Sequence, residues 1–253
     1  MPDDHADRAE RLGPYFEVQL RLARRMTVLT GRPLGETAVR FTNFYRRLGF
    51  GVPDGPPSIA WLAYARALEA APDAAAQVAL SQATCAANPP ERPPIRGQTG
   101  FGCFACETPG EDGGVRLHFY NLDTDAQGGP LAAAKMGRRR EELAALVRHL
   151  DTAHPEATCI RGKSWLYNLD AYRRLFPPDY GASRTIALGP LNLNGTSSWG
   201  QLIDSHERIR PQVRDTLISN LERLDPDAPW LAFPNRVLKT EAPLSSFRAF
   251  LGL

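Results

Sequence analysis

Apolar residues in the first 85 positions recur every three or four residues, a spacing that places them on one face of a helix. The pattern predicts four helices, at residues 5–29 with a break at Pro14, and at 34–48, 57–68 and 74–85. Glycine and proline clusters separate these segments and stop each helix. The N-terminal part of the chain is therefore expected to be all-helical.

A proline-rich segment then divides the chain. Residues 88–97 contain four prolines, which cannot continue a helix or an interior strand because they lack a backbone donor. We predict a helical N-terminal part at 1–88, a linker at 89–98 and a mixed α/β domain at 99–253.

The second part alternates between strand and helix patterns. Strands are predicted at 101–106, 115–120 and 157–160, with a glycine-rich turn at 108–114 and a long amphipathic helix at 131–153. The first two strands should form an antiparallel hairpin, and the strand–helix–strand order predicts a parallel pair. Further elements are predicted at 170–176 (helix), 185–188 (strand), 199–203 (turn or strand), 211–224 (helix), 230–233 (strand) and 244–251 (helix). The expected fold class is α/β (α+β) with a mixed sheet.

Polar and aromatic groups follow the strand at 157–160. Ligands in such folds gather beyond the carboxyl ends of strands, so this cluster predicts a pocket for an anionic small molecule. Its residues are Arg161, Lys163, Ser164, Trp165, Tyr167 and Asn168. In the alternative interpretation, Trp165 enters the core and the charges are merely solvated.

His118 is the best-placed candidate for a general base, since it shares the polar face of a strand with Arg116. Tyr167 is the second candidate catalytic residue. In the helical part, Asn43 and Arg46 lie one turn apart and are candidates for a substrate cleft. The alternatives are a surface histidine and a helix that only packs.

Composition limits the classes of partner. The net charge of +2 gives no reason to expect nucleic acid or a membrane surface as a partner. No apolar run approaches the roughly 20 residues of a membrane span, and the N-terminus lacks a signal-peptide pattern, so a cytoplasmic protein with reduced thiols is expected.

A metal site is a weaker interpretation. Cys103 and Cys106 form a C-x-x-C that would need Cys85 and Cys159 to complete a four-thiolate zinc site. His149 and His154 are five residues apart, so they do not share one helix face. Buried reduced cysteines and no metal are expected instead.

The central segment resembles the C-terminal, GNAT-like half of bacterial two-part acyltransferase-domain proteins, and the whole chain is similar to a group of bacterial proteins of unassigned function. The matching motifs are His118-Phe119, residues 128–131 (Gly-Gly-Pro-Leu), 154–157 (His-Pro-Glu-Ala), 164–166 (Ser-Trp-Leu) and 172–177 (Tyr-x-x-Leu-Phe-Pro). The resemblance implies a GNAT-like core and acyl-CoA as co-substrate. Its pyrophosphate would bind at the start of the 131–153 helix, with Gly137, Arg138 and Arg139.

Three functions follow from these observations. The first is a small-molecule enzyme, expected to be an N-acyltransferase that moves an acyl group from a CoA thioester to an amine. The second is a non-catalytic module that binds an anionic metabolite. The third is a metal-dependent enzyme with histidine or cysteine ligands, including His206. The sequence does not indicate the oligomeric state.

Overall fold

The computed structural model describes residues 3–53, 55–88, 97–189 and 191–253. The chain forms two compact units. The first comprises residues 1–91 and 188–235, and the second comprises 92–187 and 236–253. Residues 188–235, which the sequence places in the mixed domain, thus group with the N-terminal helices. Most of the predicted linker, at 89–96, lies outside the described residues.

The first unit is helical, as predicted. Its α-helices are α1 (Asp3–Arg11), α2 (Gly13–Thr30), α3 (Leu34–Phe41), α4 (Phe44–Arg47), α5 (Ile59–Ala70) and α6 (Ala74–Ala87). Two further helices of this unit, numbered here in chain order, are α10 (Thr196–Trp199) and α11 (Pro211–Leu221). The side chains of Ser58 and Asp73 accept hydrogen bonds from the backbone N–H groups of Trp61 and Ala76, which caps the starts of α5 and α6.

Aromatic packing explains why residues 188–235 join this unit. Trp199 is fully buried, its ring meets Tyr15 edge-on with centroids 6.4 Å apart, and its indole N–H donates to the carbonyl of Leu193 at 2.8 Å. Phe233 packs against the Trp199 ring as well, with centroids 4.8 Å apart. Burial of each such ring contributes about 1.5–3 kcal/mol, which ties this segment to the helices.

The second unit contains a mixed sheet of six strands among the described residues. They are β1 (Gln98–Phe101), β2 (Phe104–Glu107), β3 (Gly114–Phe119), β4 (Cys159–Ser164), β5 (Thr185–Ile186) and β6 (Leu238–Pro243), in the order β1-β2-β3-β4-β6-β5. Strands β2 and β3 form the predicted antiparallel hairpin, and β3 and β4 the predicted parallel pair. The helices of this unit are α7 (Met136–Ala153), α8 (Asp170–Arg173), α9 (Pro178–Ala182) and α12 (Leu244–Leu251).

Several predicted elements are corrected. The strand expected at 101–106 is interrupted by a tight turn, in which Gly102 has φ +60. Residues 229–232 form a 3₁₀ turn rather than a strand. Residues 200–202 form another, which agrees with the turn alternative predicted at 199–203. Strand β4 runs on to Ser164, so Arg161 and Lys163 lie within it and not beyond its end. Strand β6 has no counterpart among the predictions.

Alternation along the strands gives the sheet two different faces. Val115, Leu117, Ile160 and Ala242 point to the buried side, where they join one hydrophobic cluster with Leu146 and Val147 of α7. The residues between them point to the opposite side. No helix of the described residues is long and apolar enough to cross a membrane.

Candidate functional site

The side of the sheet opposite α7 carries most of the chemistry. We call it the outer sheet face and define it by its ionisable residues. They are Glu107 on β2, Arg116 and His118 on β3, Arg161 and Lys163 on β4, and Lys239 and Glu241 on β6. The register places Arg116 beside Arg161, and Lys163 beside Lys239. Because the side chains alternate, all seven project from the same face.

His118 is held by a carboxylate. Its Nε2 lies 2.7 Å from Oε1 of Glu107 on the neighbouring strand. Tyr120 stacks against the imidazole with ring centroids 6.2 Å apart and an 11° angle between the rings, and its hydroxyl donates to Gln98 at 2.7 Å. A carboxylate that accepts Nε2–H fixes one tautomer, in which Nδ1 is the acceptor nitrogen of the imidazole. His118 is therefore oriented, and it stays 22% exposed.

Positive charge adjoins this pair. Neither Lys163 nor Lys239 lies within 4 Å of a carboxylate of the described chain, and both are exposed. Partial desolvation on the sheet lowers the pKa of Lys163, and the charges of Arg116 and Lys239 lower it further. Like charges that are left uncompensated on one face favour an anion.

Arg161 has less freedom than its neighbours. Its Nε donates to Glu241 at 2.7 Å and its Nη1 to Asp112 at 2.6 Å. These hydrogen bonds raise the pKa of Arg161 above its ordinary range. Two carboxylates already bind this guanidinium, so we assign Arg161 a structural role beside Lys163 and Lys239.

The turn after β4 uses its polar groups for structure. The hydroxyl of Ser164 accepts the backbone N–H of Leu166, and the amide of Asn168 donates to the carbonyls of Trp165 at 2.6 Å and Arg236 at 2.9 Å. Trp165 itself is only 5% exposed. These three predicted substrate-binding residues thus shape a 3₁₀ turn.

Tyr167 lies on the buried side of the sheet. Its hydroxyl is 2.8 Å from that of Tyr180, and both rings belong to an aromatic cluster with Phe176. Burial raises the pKa of Tyr167 well above its ordinary value. A Cβ at Gly162 would approach the Tyr167 hydroxyl to 1.8 Å, so the phenol packs against the strand backbone. This position separates Tyr167 from His118.

The residues implied for a pyrophosphate are mostly engaged elsewhere. Arg139 is fully buried; its Nη2 donates to Asp123 and Glu142 at 2.7 Å each, and its Nη1 contacts the Cys103 sulfur. Arg138 is exposed, but it lies within 3.4 Å of the same two carboxylates. Gly137 lies in the first turn of α7, where a Cβ would meet nothing within 4 Å.

A buried lysine completes this cluster. Lys135 donates to Asp123 at 3.1 Å, to the carbonyl of Gly128 at 2.9 Å, and lies 3.0 Å from Asp125. Three cations near the start of α7 thus face three carboxylates. The cluster fastens the loop after β3 onto the helix.

Asn43 and Arg46 belong to the first unit. Asn43 is fully buried; its amide donates to the Tyr15 hydroxyl at 2.8 Å and its backbone N–H to Gln19 at 2.9 Å. Arg46 is half-buried on α4. Asn43 therefore connects α2 to the start of α4 inside the helical core.

The cysteines do not converge. Among the described residues, no three histidine, cysteine, aspartate or glutamate side chains are grouped as a metal ion would require. Cys85 lies in the first unit and the other three cysteines in the second. Burial raises the pKa of Cys106 to about 11, which keeps this thiol protonated and unreactive at neutral pH.

Two residues of the outer sheet face escaped the sequence reasoning. Glu107 directly follows the predicted strand at 101–106, and extending the hairpin by one residue would have placed it near His118. Lys239 lies on β6, which was not predicted. Its alternation with Leu238 and Thr240 was the available signal.

The chain matches none of the protein-family models, curated proteins or solved structures with which it was compared. The site must therefore be interpreted from its own geometry.

Proposed function

We propose that the protein is a small-molecule enzyme that binds an anionic substrate on the outer sheet face and uses His118 as a general base. The observation that carries this proposal is the 2.7 Å contact between His118 Nε2 and Glu107, beside two exposed lysines that have no acidic partner within 4 Å in the described chain. An oriented imidazole can accept a proton, and adjacent cations can hold a substrate anion in place.

The roles differ between the residues. Lys163, Lys239 and Arg116 attract and hold the anionic group, and Glu107 stabilises the imidazolium that forms when His118 takes a proton. Partial desolvation lowers the pKa of Lys163 most, the charges of Arg116 and Lys239 lower it further, and a bound anion would offset that repulsion. Ligand binding should therefore raise that pKa.

N-acyl transfer is one reaction that such a base serves, since the attacking amine must lose a proton. The start of α7 gives this version less support. The cations that would meet a CoA pyrophosphate there, Lys135, Arg138 and Arg139, are already matched by Asp123, Asp125 and Glu142. An N-acyltransferase built on this chain would have to hold CoA by other groups.

The test has a binding arm and a turnover arm. Citrate, a small polyanion, is titrated by isothermal calorimetry into the wild type, the K163Q/K239Q variant and an R148Q control, whose exposed arginine lies on α7. We expect at least tenfold weaker binding for K163Q/K239Q alone, because a charge-assisted contact contributes about 1.5–3 kcal/mol. Equal affinity in all three proteins would refute the site.

Turnover is measured as thiol release from acetyl-CoA in the presence of a mixture of amines. The enzyme proposal expects His118→Gln to abolish any turnover while citrate affinity changes little. If the wild type shows no turnover but binds citrate through the two lysines, the protein is the non-catalytic anion-binding module. If acetyl-CoA neither reacts nor raises the melting temperature, the acyl-transfer version fails.

A further inference from the structure

A second feature of the mixed unit lies away from the outer sheet face. A groove of about 680 Å³ runs along α8, α9 and the turns that connect them. Its size falls in the range of small-molecule sites. Three arginines line it, Arg173, Arg174 and Arg184, against one carboxylate, Asp170.

The carboxylate is already used. Asp170 pairs with Arg173, whose other guanidinium nitrogen donates to the carbonyls of Tyr167 at 3.3 Å and Asn168 at 3.0 Å. These contacts fix Arg173 as part of the wall. The remaining charge of the groove is therefore that of Arg174 and Arg184.

Those two arginines differ from most others in the unit. Within the described chain, neither side chain lies within 4 Å of a carboxylate or makes a hydrogen bond, whereas Arg116, Arg161 and Arg248 each lie within that distance of one. The Arg184 guanidinium lies near Gly181 in the groove wall, since a Cβ at Gly181 would be 3.7 Å from its Nη1.

We propose that this groove binds the phosphoryl group of a small phosphate monoester through Arg174 and Arg184. The planar guanidinium presents two parallel donors that match phosphate oxygens, and a monoester carries close to two negative charges at neutral pH. One dianion would thus neutralise two arginines. The short side chains of Pro178, Gly181 and Ala182 leave room for the body of the ester.

The test uses phenyl phosphate, inorganic phosphate and succinate as probes, titrated by calorimetry at low salt. The proteins are the wild type, R174Q, R184Q, the double variant R174Q/R184Q and the R148Q control. We expect phenyl phosphate to bind the wild type more tightly than either other probe. The double variant should bind it at least tenfold more weakly, each single variant should show part of that loss, and R148Q should match the wild type.

Three results would overturn the inference. If R174Q and R184Q bound phenyl phosphate with wild-type affinity, neither arginine would contact the ligand. This comparison does not require the double variant to fold. Succinate binding as tightly as phenyl phosphate would exclude a phosphoryl preference. If inorganic phosphate bound as tightly as phenyl phosphate, the groove would make no contact with the organic part of the ester.

The outcome is independent of the proposed function. The K163Q/K239Q variant changes only the outer sheet face, so it should retain wild-type affinity for phenyl phosphate. If instead that variant loses phenyl phosphate and R174Q/R184Q keeps it, the phosphate ligand belongs to the outer sheet face and the groove proposal fails.

Discussion

A half-buried ion cluster in the helical unit is expected to contribute a pH-dependent part of its free energy of unfolding. Glu207 accepts from Nε of Arg8 at 2.5 Å and from Nη1 of Arg47 at 2.5 Å, and its side chain is 21% exposed. Burial alone would raise the pKa of Glu207, but the hydrogen bond from Arg8 and the charges of Arg47 and Arg8 outweigh it and lower the pKa to about 2. The cluster joins α1 and α4 to the turn that contains Glu207.

The lowered pKa sets the expected magnitude for Glu207→Gln. A change from 4.5 to about 2 corresponds to about 3 kcal/mol in favour of the ionised form, which partial solvent exposure reduces to about 2–3 kcal/mol. Glu207 has φ 59, in the left-handed region. Glutamine keeps the same shape there, so any backbone strain cancels between the two proteins.

The sign of the pH dependence follows from the direction of the shift. Because the folded-state pKa of Glu207 is depressed, its contribution is fully present above about pH 4.5 and is lost as the pH falls toward 2. The free energy of unfolding of the wild type should exceed that of the variant by about 2–3 kcal/mol at pH 7. At pH 3 the difference should be roughly half of this or less.

Urea unfolding followed by circular dichroism at pH 7, 5, 4 and 3 measures this difference. Glu36→Gln is the matched control, because that glutamate forms exposed pairs with Arg32 and Arg40 on the same unit. It should cost at most about 0.5 kcal/mol. A Glu207→Gln effect that is below 1 kcal/mol at pH 7, or that is as large at pH 3 as at pH 7, would refute the reasoning.

Three further predictions concern the mixed unit. Gly162→Ala should lower the free energy of unfolding in urea by several kcal/mol, since its Cβ would lie 1.8 Å from the Tyr167 hydroxyl. Gly137→Ala is the control and should raise that free energy by roughly 0.5–1 kcal/mol, because nothing lies within 4 Å of its Cβ. Equal changes in the two variants would contradict the close packing at Gly162. Tyr167→Phe should cost about 1 kcal/mol through its lost bond to Tyr180 and leave citrate affinity unchanged; weaker citrate binding would restore Tyr167 to the site. Arg139→Met should cost roughly 1–3 kcal/mol, because Asp123 and Glu142 each lose the hydrogen bond from this buried guanidinium while Arg138 still faces both; a near-neutral effect would show that they reach water.

Local patterns were enough to predict much of the fold. Helical periodicity located most helices of the first unit, and Pro14 marked the boundary between α1 and α2 within a few residues. Turn residues at 108–114 predicted the β2–β3 hairpin, and the strand–helix–strand order predicted the parallel pairing of β3 and β4. These features depend on residues close together in sequence.

Features that depend on distant residues were missed. Strand β6 pairs with β4 across about 80 positions, and its inward residues Thr240 and Ala242 carry little apolar signal. The strand predicted at 157–160 therefore ends four residues before the observed end of β4 at Ser164. The ion pair of Arg161 with Glu241 on β6 supplies the reason that it does continue.

In the candidate site, too, features set by neighbouring residues can be predicted from the sequence, whereas features set by the fold cannot. Alternation along one strand predicts that Arg116 and His118 share a face, and the structure places both on the outer sheet face with Lys163. Proximity in sequence predicts Tyr167 in the same site, yet the 3₁₀ turn after Ser164 carries it to the buried side of the sheet. A turn that reverses the direction of a side chain cannot be deduced from residue type alone.

The most direct test of the central claim is a nuclear magnetic resonance titration of the His118 imidazole nitrogens with citrate. The proposal predicts that wild-type His118 is protonated at Nε2, that its signals shift as citrate binds, and that K163Q/K239Q needs at least tenfold more citrate for the same shift while R148Q does not. Unchanged His118 signals at saturating citrate, or identical titrations of the wild type and K163Q/K239Q, would contradict an anion site next to this base.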